Sequence, residues 1–282
     1  MKRILLVITI FVMVSLACSV TVNMPKEEET GPAETVEINE AAPAESPAEL
    51  IINMGAGKLN IQSGAQNLVE GTVEYNVVAW KPEIDRDGSE IRISQGDMKN
   101  FTFGKGGNLI NQWDLRLGAM PIDLTVEAGA YESDLDLTGL SLTGLRITDG
   151  ASSNNVVFTA PNPVRMDRFT YETGASSIKL EGLGYANFDE MTFQGGAGNY
   201  TIDFSGPLQD DARVYIDGGL GNFTIIVPPT TAARIIVDGG LKNVSPQGTW
   251  NVRNGEYRTD GEGPLLRIEV NIGVGNLTLI SE

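Results

Sequence analysis

A short glycine-containing turn recurs along this chain at a nearly constant spacing. In most copies the first position after the glycine holds a small residue or Leu, the second holds Gly or Ser, and the third holds Asn or Ser. Alternating apolar and polar residues follow. The aligned glycines are Gly55, Gly129, Gly150, Gly174, Gly196, Gly219, Gly240 and Gly273. From Gly129 to Gly240 the steps are 21, 24, 22, 23 and 21 residues. Such a period is typical of an array built from one structural unit.

Each unit consists of a strand, a glycine turn and a second strand, as in MTFQGGAGNYTI and RVYIDGGLGNFTI. A unit of about 22 residues cannot bury its own apolar face, and stacking one unit on the next solves this problem. The sequence therefore predicts an all-β, single-domain β-solenoid with stacked coils of about 22 residues. An immunoglobulin-like sandwich also has short strands and turns, but it does not require one turn sequence at constant spacing.

Two residue types in the repeat have predicted structural roles. We expect the aligned glycines to occupy corners with positive φ, where a side chain is unfavourable. One position after the corner is asparagine in four units, at Asn199, Asn222, Asn243 and Asn276. We expect their amides to bond to one another along the stack. These asparagines and Asn100 also begin N-x-S/T triplets, which the repeat pattern explains for four of the five.

The N-terminus has the features of a bacterial lipoprotein signal. Lys2 and Arg3 precede a short apolar run, Ile4 to Val14, and small residues lead to Cys18, the only cysteine. The run is too short for a comfortable membrane span. We expect residues 1–17 to be removed and Cys18 to be lipidated, which anchors the protein to a membrane in the bacterial cell envelope, outside the cytoplasm. The alternatives are an ordinary secretory signal with an incidental cysteine and an uncleaved anchor.

Composition divides the remainder of the chain. Residues 18–48 are rich in Pro, Ala, Glu and Thr and predict an acidic disordered tether. The alternative is a loosely docked tail in which Val36 and Ile38 touch the domain. Residues 49–120 predict a less regular N-terminal β region that begins and caps the stack. Residues 121–282 predict the regular solenoid.

Composition also limits the chemistry. The chain has no histidine and a net charge of −17, which argues against histidine triads, zinc sites and nucleic-acid binding. No cofactor motif is present, and we expect no cofactor and no metal. The run GGLGNF resembles the start of a calcium-binding repeat, but Phe223 stands where that motif needs Asp. An acidic site among Asp203, Asp210, Asp211 and Asp217 is a weaker alternative to a solvated acidic face.

Paired carboxylates and clustered aromatics are the remaining candidates for function. The pairs are Asp134 with Asp136, Asp210 with Asp211, and Asp217 with Asp238, and the last pair should stack on adjacent coils because it is 21 residues apart. Two carboxylates on one face could cleave a polysaccharide, although turn residues are the simpler interpretation. Trp250 and Tyr257 flank a non-repeat insertion, residues 245–264, which forms either a ligand-binding loop or a hairpin that caps the solenoid.

The segment AELIINMGAGKLNIQSGAQNLVEGTVEYNVVAWKPEI resembles the N-terminal region of the toast-rack proteins. The later GG-x-G-N-x-T-I repeats resemble candidate-adhesin and cell-wall-active antibiotic-response domains with a stacked-strand fold. The resemblance covers most of residues 49–282 and implies an envelope location with no known catalytic residues. We therefore expect a non-enzymatic surface lipoprotein that binds a wall polymer, a glycan or an envelope protein. The alternatives are a modulator of a membrane stress sensor and, less favoured, a polysaccharide-active enzyme.

Overall fold

The computed structural model describes residues 30–96, 108–240 and 243–282. In these residues the secondary structure consists of strands and two short 3-10 helices, Val78–Trp80 and Leu183–Tyr185. The strands are β1 Glu34–Glu40, β2 Ala48–Ala65, β3 Val69–Tyr75, β4 Glu83–Asp87, β5 Glu90–Ser94, β6 Asn111–Gly118, β7 Pro121–Asp136, β8 Ser141–Val157, β9 Met166–Glu181, β10 Phe188–Asp203, β11 Ala212–Ile226, β12 Thr231–Gly239, β13 Val244–Gly248, β14 Asn251–Arg253, β15 Glu256–Arg258 and β16 Glu262–Ser281. The signal segment, Cys18 and Asn100 lie outside the described residues. No helix in the described part of the chain is long and apolar enough to cross a membrane.

The long strands bend at the aligned glycines, so each one contributes two arms to a coil. In β10 the rings of Phe193 and Tyr200 are both buried, and their centroids are 5.2 Å apart. A straight strand would separate these residues by about 23 Å, at roughly 3.3 Å per residue. The chain therefore folds back at Gly195–Gly198, and the apolar residues of both arms line one interior.

Successive coils stack as parallel strands in register. β7, β8, β9, β10 and β11 pair in chain order, and Tyr200 of β10 lies beside Phe223 of β11. Within the described ranges the result is one continuous sheet of 16 strands wound around an apolar core. Parallel neighbours in register confirm the predicted β-solenoid and do not fit the antiparallel immunoglobulin-like alternative.

The aligned glycines form a column, but not for the predicted reason. None of the eight has a positive φ. Instead, a Cβ on Gly150 would lie 2.7 Å from the carbonyl oxygen of Gly129, and one on Gly219 would lie 2.6 Å from that of Gly196. The prediction of positive φ was wrong, since the corner needs glycine to admit the backbone of the neighbouring coil.

The C-terminal strand does not follow β12 in the stack. It lies between β11 and β12, so the sheet order is β11-β16-β12. Asp217 pairs with Asn271, and Asn271 pairs with Asp238. The prediction that Asp217 and Asp238 lie on adjacent coils is therefore wrong, because β16 separates them.

The N-terminal end of the stack includes part of the predicted tether. β1 pairs antiparallel with β3, in the order β1-β3-β6-β2, and Ile38 is buried. The prediction of disorder through residue 48 is wrong for this segment. Alternate apolar residues, Val36 and Ile38, give β1 a face that packs on the domain, as the docked-tail alternative proposed.

The opposite end of the stack is formed by the insertion. β15 pairs antiparallel with β12, and β14 pairs with β15 across a turn in which Asn254 and Gly255 have φ values of 52° and 78°. Such a pair of positive φ values is typical of a tight hairpin turn. The insertion therefore forms a hairpin that covers the last coil.

Candidate functional site

An outward-facing row of polar side chains runs across the stack two residues before each aligned glycine. We call it the acid row; its members are in register on neighbouring strands. In spatial order they are Asn53, Glu127, Thr148, Glu172, Gln194, Asp217, Asn271 and Asp238. Every carboxylate is separated from the next by a neutral residue. Because neighbouring strands are about 4.8 Å apart, this alternation keeps like charges about two strands apart.

Two of the neutral members, Asn53 and Asn271, also donate hydrogen bonds to the acids. Asn53 Nδ2 donates to Oε2 of Glu127 at 3.3 Å, and Asn271 Nδ2 donates to Oδ1 of Asp217 at 3.1 Å. Asp217 and Asp238 are both exposed. A general acid of this kind typically lies in apolar surroundings, whereas both of these side chains face solvent. This pair is therefore poorly arranged for the polysaccharide cleavage that the sequence left open.

The other aspartates singled out in the sequence have separate partners. Asp210 forms an ion pair with Arg165 at 2.6 Å, and Asp211 Oδ1 accepts a hydrogen bond from the backbone N–H of Leu265. Asp203 accepts hydrogen bonds from the side chain and the backbone of Ser205. Among the described residues no cluster of three or more acidic or cysteine side chains could hold a metal ion. The acidic calcium site considered above does not assemble.

A groove with a cavity volume of about 530 Å³ runs along the corner beside the acid row. Its lining includes Gly219 from the glycine column, Asp149, and the acid-row members Glu172, Gln194 and Asp217. The groove extends across several strands because similar corners repeat from coil to coil. Its shape suits an extended ligand better than a compact one.

Asp149 is the buried carboxylate of the solenoid interior. Its carboxyl oxygens accept hydrogen bonds from Ser152 Oγ at 2.8 Å, Asn154 Nδ2 at 3.0 Å and the Tyr171 hydroxyl at 3.0 Å. The side chains of Thr173 and Ser176 also donate to it. Several donors on one buried carboxylate offset the cost of its desolvation. Asp149 thus holds β8 and β9 together through polar contacts.

Tyrosine hydroxyls near Asp149 titrate abnormally. Burial, and to a smaller extent the nearby Asp149 carboxylate, raises the pKa of Tyr131 above its ordinary value of 10.0. Burial is likewise the main reason that the pKa of Tyr171 lies well above 10.0. Both groups therefore stay neutral in the folded protein at alkaline pH, where an exposed tyrosine would ionise.

Three of the four predicted asparagines form a hydrogen-bonded row on the second arm of the coils. Asn222 Nδ2 donates to Oδ1 of Asn199 at 2.9 Å, and Asn276 Nδ2 donates to Oδ1 of Asn222 at 2.8 Å. Asn243 lies just before β13, and its carbonyl oxygen accepts the backbone N–H of Leu277. The hydrogen bonds between these amides follow the spatial order of the strands. Asn276 of β16 therefore lies between Asn222 of β11 and strand β13, which pairs with β16 on its other side.

Trp250 and Tyr257 contact each other at the hairpin end. Their ring centroids are 6.4 Å apart and nearly perpendicular, and both side chains pack against the core. Trp250 Nε1 donates to the carbonyl oxygens of Gln247 and Leu279. The pair is therefore anchored to the body and stabilises the hairpin, which leaves only part of each ring available to a ligand.

A second cavity, of about 590 Å³, lies near the other end of the stack. Trp80, Leu109, Tyr131 and Asn111 are among its lining residues. Asn111 is fixed there, because its amide donates to the carbonyl oxygen of Ala56 and to Oε1 of Gln95. A mixed apolar and polar lining of this volume is within the range of small-molecule sites.

Comparison with known protein families gives one match. The model described as "N-terminal domain of toast_rack, DUF2154" matches residues 24–167, just over half of the 282 residues. The chain belongs to the toast_rack family. The match includes β1, which agrees with the packing of that strand on the toast_rack body.

Solved structures and curated proteins give further comparisons. A candidate cell adhesion protein from Clostridium sporogenes is 21% identical, with 89% of this chain and 99% of that chain covered and a TM-score of 0.45. A candidate adhesin from Bacteroides fragilis is 10% identical, with 90% and 98% covered and a TM-score of 0.43. A candidate lipid binding protein from Parabacteroides distasonis is 11% identical, with 91% and 99% covered and a TM-score of 0.39. No curated protein matches the chain.

A row of arginines, C-terminal to the residues that match the family model, was not predicted from the sequence. Four arginines occupy neighbouring strands in register: Arg213 pairs with Arg267, Arg267 with Arg234, and Arg234 with Arg258. We call these four residues the arginine row. A signal was available, because Arg213, Arg234 and Arg267 each stand six residues before an aligned glycine. Arg258 could not be found this way, since it enters the row through the hairpin.

Proposed function

We propose that this protein is a lipid-anchored, non-catalytic binding protein of the bacterial cell envelope. In this proposal residues 1–17 are the signal, Cys18 carries the lipid, and the solenoid faces outward to bind a wall polymer or glycan. Residues 49–120 begin and cap the stack, and residues 121–282 supply the repeated binding surface. The segment between Cys18 and β1 joins the anchor to the body.

The observation that carries the proposal is the regular repetition of polar side chains in register on the outside of the body. The asparagine row presents an amide on three successive strands, and the acid row presents a carboxylate on every second strand. A linear polymer also presents one chemical group repeatedly, so it can contact several coils at once, and such multivalent contacts add affinity. The described carboxylate pairs do not provide an equivalent argument for catalysis.

The position of β1 supports display away from a membrane. β1 lies at one end of the sheet order, and the hairpin β14–β15 lies at the other end. An anchor attached before β1 would leave the hairpin end farthest along the stack from the anchored end. The acidic net charge of −17 would also be repelled by an anionic membrane surface.

The binding proposal is tested with the mature chain carrying Cys18→Ser and produced without residues 1–17. Binding to isolated cell wall and to a glycan array would be measured while polymer length is followed over time. We expect saturable binding without shortening of the polymer. Shortened polymer would show an enzyme instead. Absence of wall binding, together with crosslinking of one membrane protein in intact cells, would favour the stress-sensor alternative.

The anchor is tested separately in cells. Full-length protein is expected to incorporate labelled fatty acid and to fractionate with membranes. Cys18→Ser is expected to abolish the label, whereas Ser19→Ala is a neighbouring control that should retain it. Label retained in Cys18→Ser would disprove lipidation at this residue.

A further inference from the structure

We propose that the arginine row binds an acidic glycan, that is, an unbranched sugar polymer bearing repeated carboxylates or phosphates. This inference rests on the proposed binding function and names the ligand class. Arg213, Arg267, Arg234 and Arg258 lie on the consecutive strands β11, β16, β12 and β15. Neighbouring strands are about 4.8 Å apart, so the row presents a guanidinium at each such step.

The uninterrupted row contrasts with the rest of the same outer face. Charges of like sign directly opposite each other on neighbouring strands are destabilising, and the acid row avoids this by alternating acids with neutral residues. At the arginine position itself, charges alternate on the preceding strands, where Arg168 pairs with Glu190 and Glu190 pairs with Arg213. Only from Arg213 onward does the alternation stop. The fold does not require this arrangement, and an anionic ligand would give it a use.

The row lies in the part of the protein where its overall negative charge is weakest. Residues 1–211 contain 14 Lys or Arg and 30 Asp or Glu, a net charge of −16. Residues 212–282 contain 6 and 7, a net charge of −1. These C-terminal residues form the end of the sheet that begins with β11. The repulsion of an anionic polymer is therefore weaker at this end, where the nearest acids from the rest of the chain, Asp189 and Asp211, lie beside arginines of the row.

Acidic side chains neighbour the row but leave its donors available. Arg213 forms an ion pair with Asp189 at 2.7 Å, whereas Arg267 Nη1 is 3.7 Å from Asp211 Oδ2, beyond hydrogen-bond distance. The side chains of these two arginines are 51% and 50% exposed. Ion pairs this exposed are weak, and each guanidinium has five N–H donors. A polymer anion can therefore compete for them.

At the hairpin end one carboxylate serves two arginines. Glu256 contacts Arg258 and is 2.7 Å from Arg234 Nη2, and the hydrogen bond from Arg258 is the main reason that its pKa is lowered. Glu269, in register with Tyr215, is a further acid on this face, besides Glu190 opposite Arg213. Arg234 Nε is shielded from solvent and has no hydrogen-bond partner. Two guanidinium groups held by one carboxylate retain a net positive charge.

A neighbouring aromatic side chain favours a sugar polymer over other polyanions. Tyr215 is half-buried and lies two residues after Arg213 on the same outward face of β11. Its ring can pack on the apolar face of a sugar while its hydroxyl remains in water. Double-stranded nucleic acid, with one charge per about 1.7 Å, would be repelled much more strongly by a body of net charge −17.

The test compares two triple variants of the full mature chain. R213Q/R267Q/R258Q removes three members of the row and leaves Arg234, whose Nε is enclosed. R116Q/R146Q/R168Q is the matched control, because it removes the same charge from exposed arginines that also have acidic neighbours, in this case glutamates at 3.7 to 3.9 Å. Circular dichroism and thermal unfolding verify that both fold. Binding is measured to alginate, to teichoic acid and to neutral dextran at several salt concentrations.

We expect wild type to bind at least one acidic polymer, and to bind dextran far more weakly. Since a hydrogen bond to a charged group contributes about 1.5 kcal/mol or more, loss of the row should weaken this binding by roughly tenfold or more. The control should change it by less than about threefold, through long-range charge alone. R213K/R267K/R258K keeps the charge but loses paired N–H donation, and it should bind with intermediate affinity.

The outcomes separate this inference from the general proposal. Equal losses in the row variant and the control, or equal binding of alginate, teichoic acid and dextran, would overturn the arginine row as the site. If isolated wall is still bound in that case, the binding function stands and the ligand lies elsewhere. If wild type binds an acidic polymer through the row but not isolated wall, the inference stands and the assignment of the wall as ligand fails.

Discussion

Asn271 donates a hydrogen bond to Asp217 from a strand that lies 54 residues later in the chain. Its strand, β16, separates β11 from β12, and its amide stands between the carboxylates of Asp217 and Asp238. Without β16 in this position the two aspartates would be directly opposite each other on neighbouring strands. The position of β16 between β11 and β12 therefore completes the alternation of the acid row and avoids repulsion between like charges.

Asn271→Asp should destabilise the protein at neutral pH. It would create three consecutive carboxylates, and each like-charged pair costs roughly 0.5–1 kcal/mol. Asn276→Asp is the matched control, because it also removes an amide hydrogen bond from β16 but has Asn222, not aspartate, as its neighbour. Urea unfolding at pH 7 should show a larger loss for Asn271→Asp. The difference should disappear below about pH 4, where carboxylates take up protons. Equal losses at both pH values would contradict the argument.

Gly219→Ala should destabilise the stack by roughly 1–3 kcal/mol, as overpacking does. The new Cβ would lie 2.6 Å from the carbonyl oxygen of Gly196, which belongs to the backbone of the neighbouring coil and cannot move alone. Gly31→Ala is the control, because its nearest neighbour there would be 3.9 Å away. Thermal and urea unfolding of both variants measure the difference. A harmless Gly219→Ala would mean that the corner relaxes more easily than the contact implies.

Asp149→Asn should be among the most destabilising single changes in the polar interior. The amide has one acceptor oxygen in place of two and brings donors toward the Tyr171 hydroxyl and the other donors around the site. Leaving buried donors unpaired should lower the free energy of unfolding by roughly 2–3 kcal/mol. Asp134→Asn, at an exposed position of β7, should change it by less than about 0.5 kcal/mol. A comparable small effect at Asp149 would indicate that water replaces the lost bonds.

The regular part of the fold was predictable because one local pattern determines it. The spacing of the aligned glycines and the alternation of apolar residues, as in MTF and YTI around Gly196, predict stacked coils with a common interior. Local pattern does not determine which coil lies beside which. The turn at Gly273 resembles the turn at Gly219 closely, so either order of β12 and β16 satisfies the same sequence rule. The choice depends on contacts between residues distant in sequence.

The candidate sites show the same division. The asparagine row could be read from the repeat, since Asn199, Asn222 and Asn276 follow the corner at one fixed offset. The arginine row required knowledge of the strand order, because Arg213 and Arg234 become neighbours of Arg267 only through the position of β16 between β11 and β12.

Strand β1 was missed for another reason. A seven-residue strand with two core-facing positions, Val36 and Ile38, has too weak a pattern within an acidic, proline-rich segment.

Above pH 10 the stability of the protein should fall because of its buried tyrosines. The pKa values of Tyr131 and Tyr171 are raised above the ordinary value of 10.0, chiefly by burial. The unfolded chain releases these protons near pH 10, whereas the folded protein holds them to higher pH. Unfolding therefore releases protons in this range, and the free energy of unfolding falls as the pH rises. Below pH 10 both states hold the protons and the effect is absent.

The alkaline loss is measured by urea unfolding at pH 9 and at about pH 11, with tyrosinate absorbance followed in parallel. Tyr171→Phe should be less stable than wild type at pH 9, because Asp149 loses a donor, but its further loss toward pH 11 should be smaller. Tyr215→Phe, on the outer face, should show the same alkaline loss as wild type. An equal pH dependence in all three proteins would mean that lysine or backbone effects, and not the buried tyrosines around Asp149, govern alkaline unfolding.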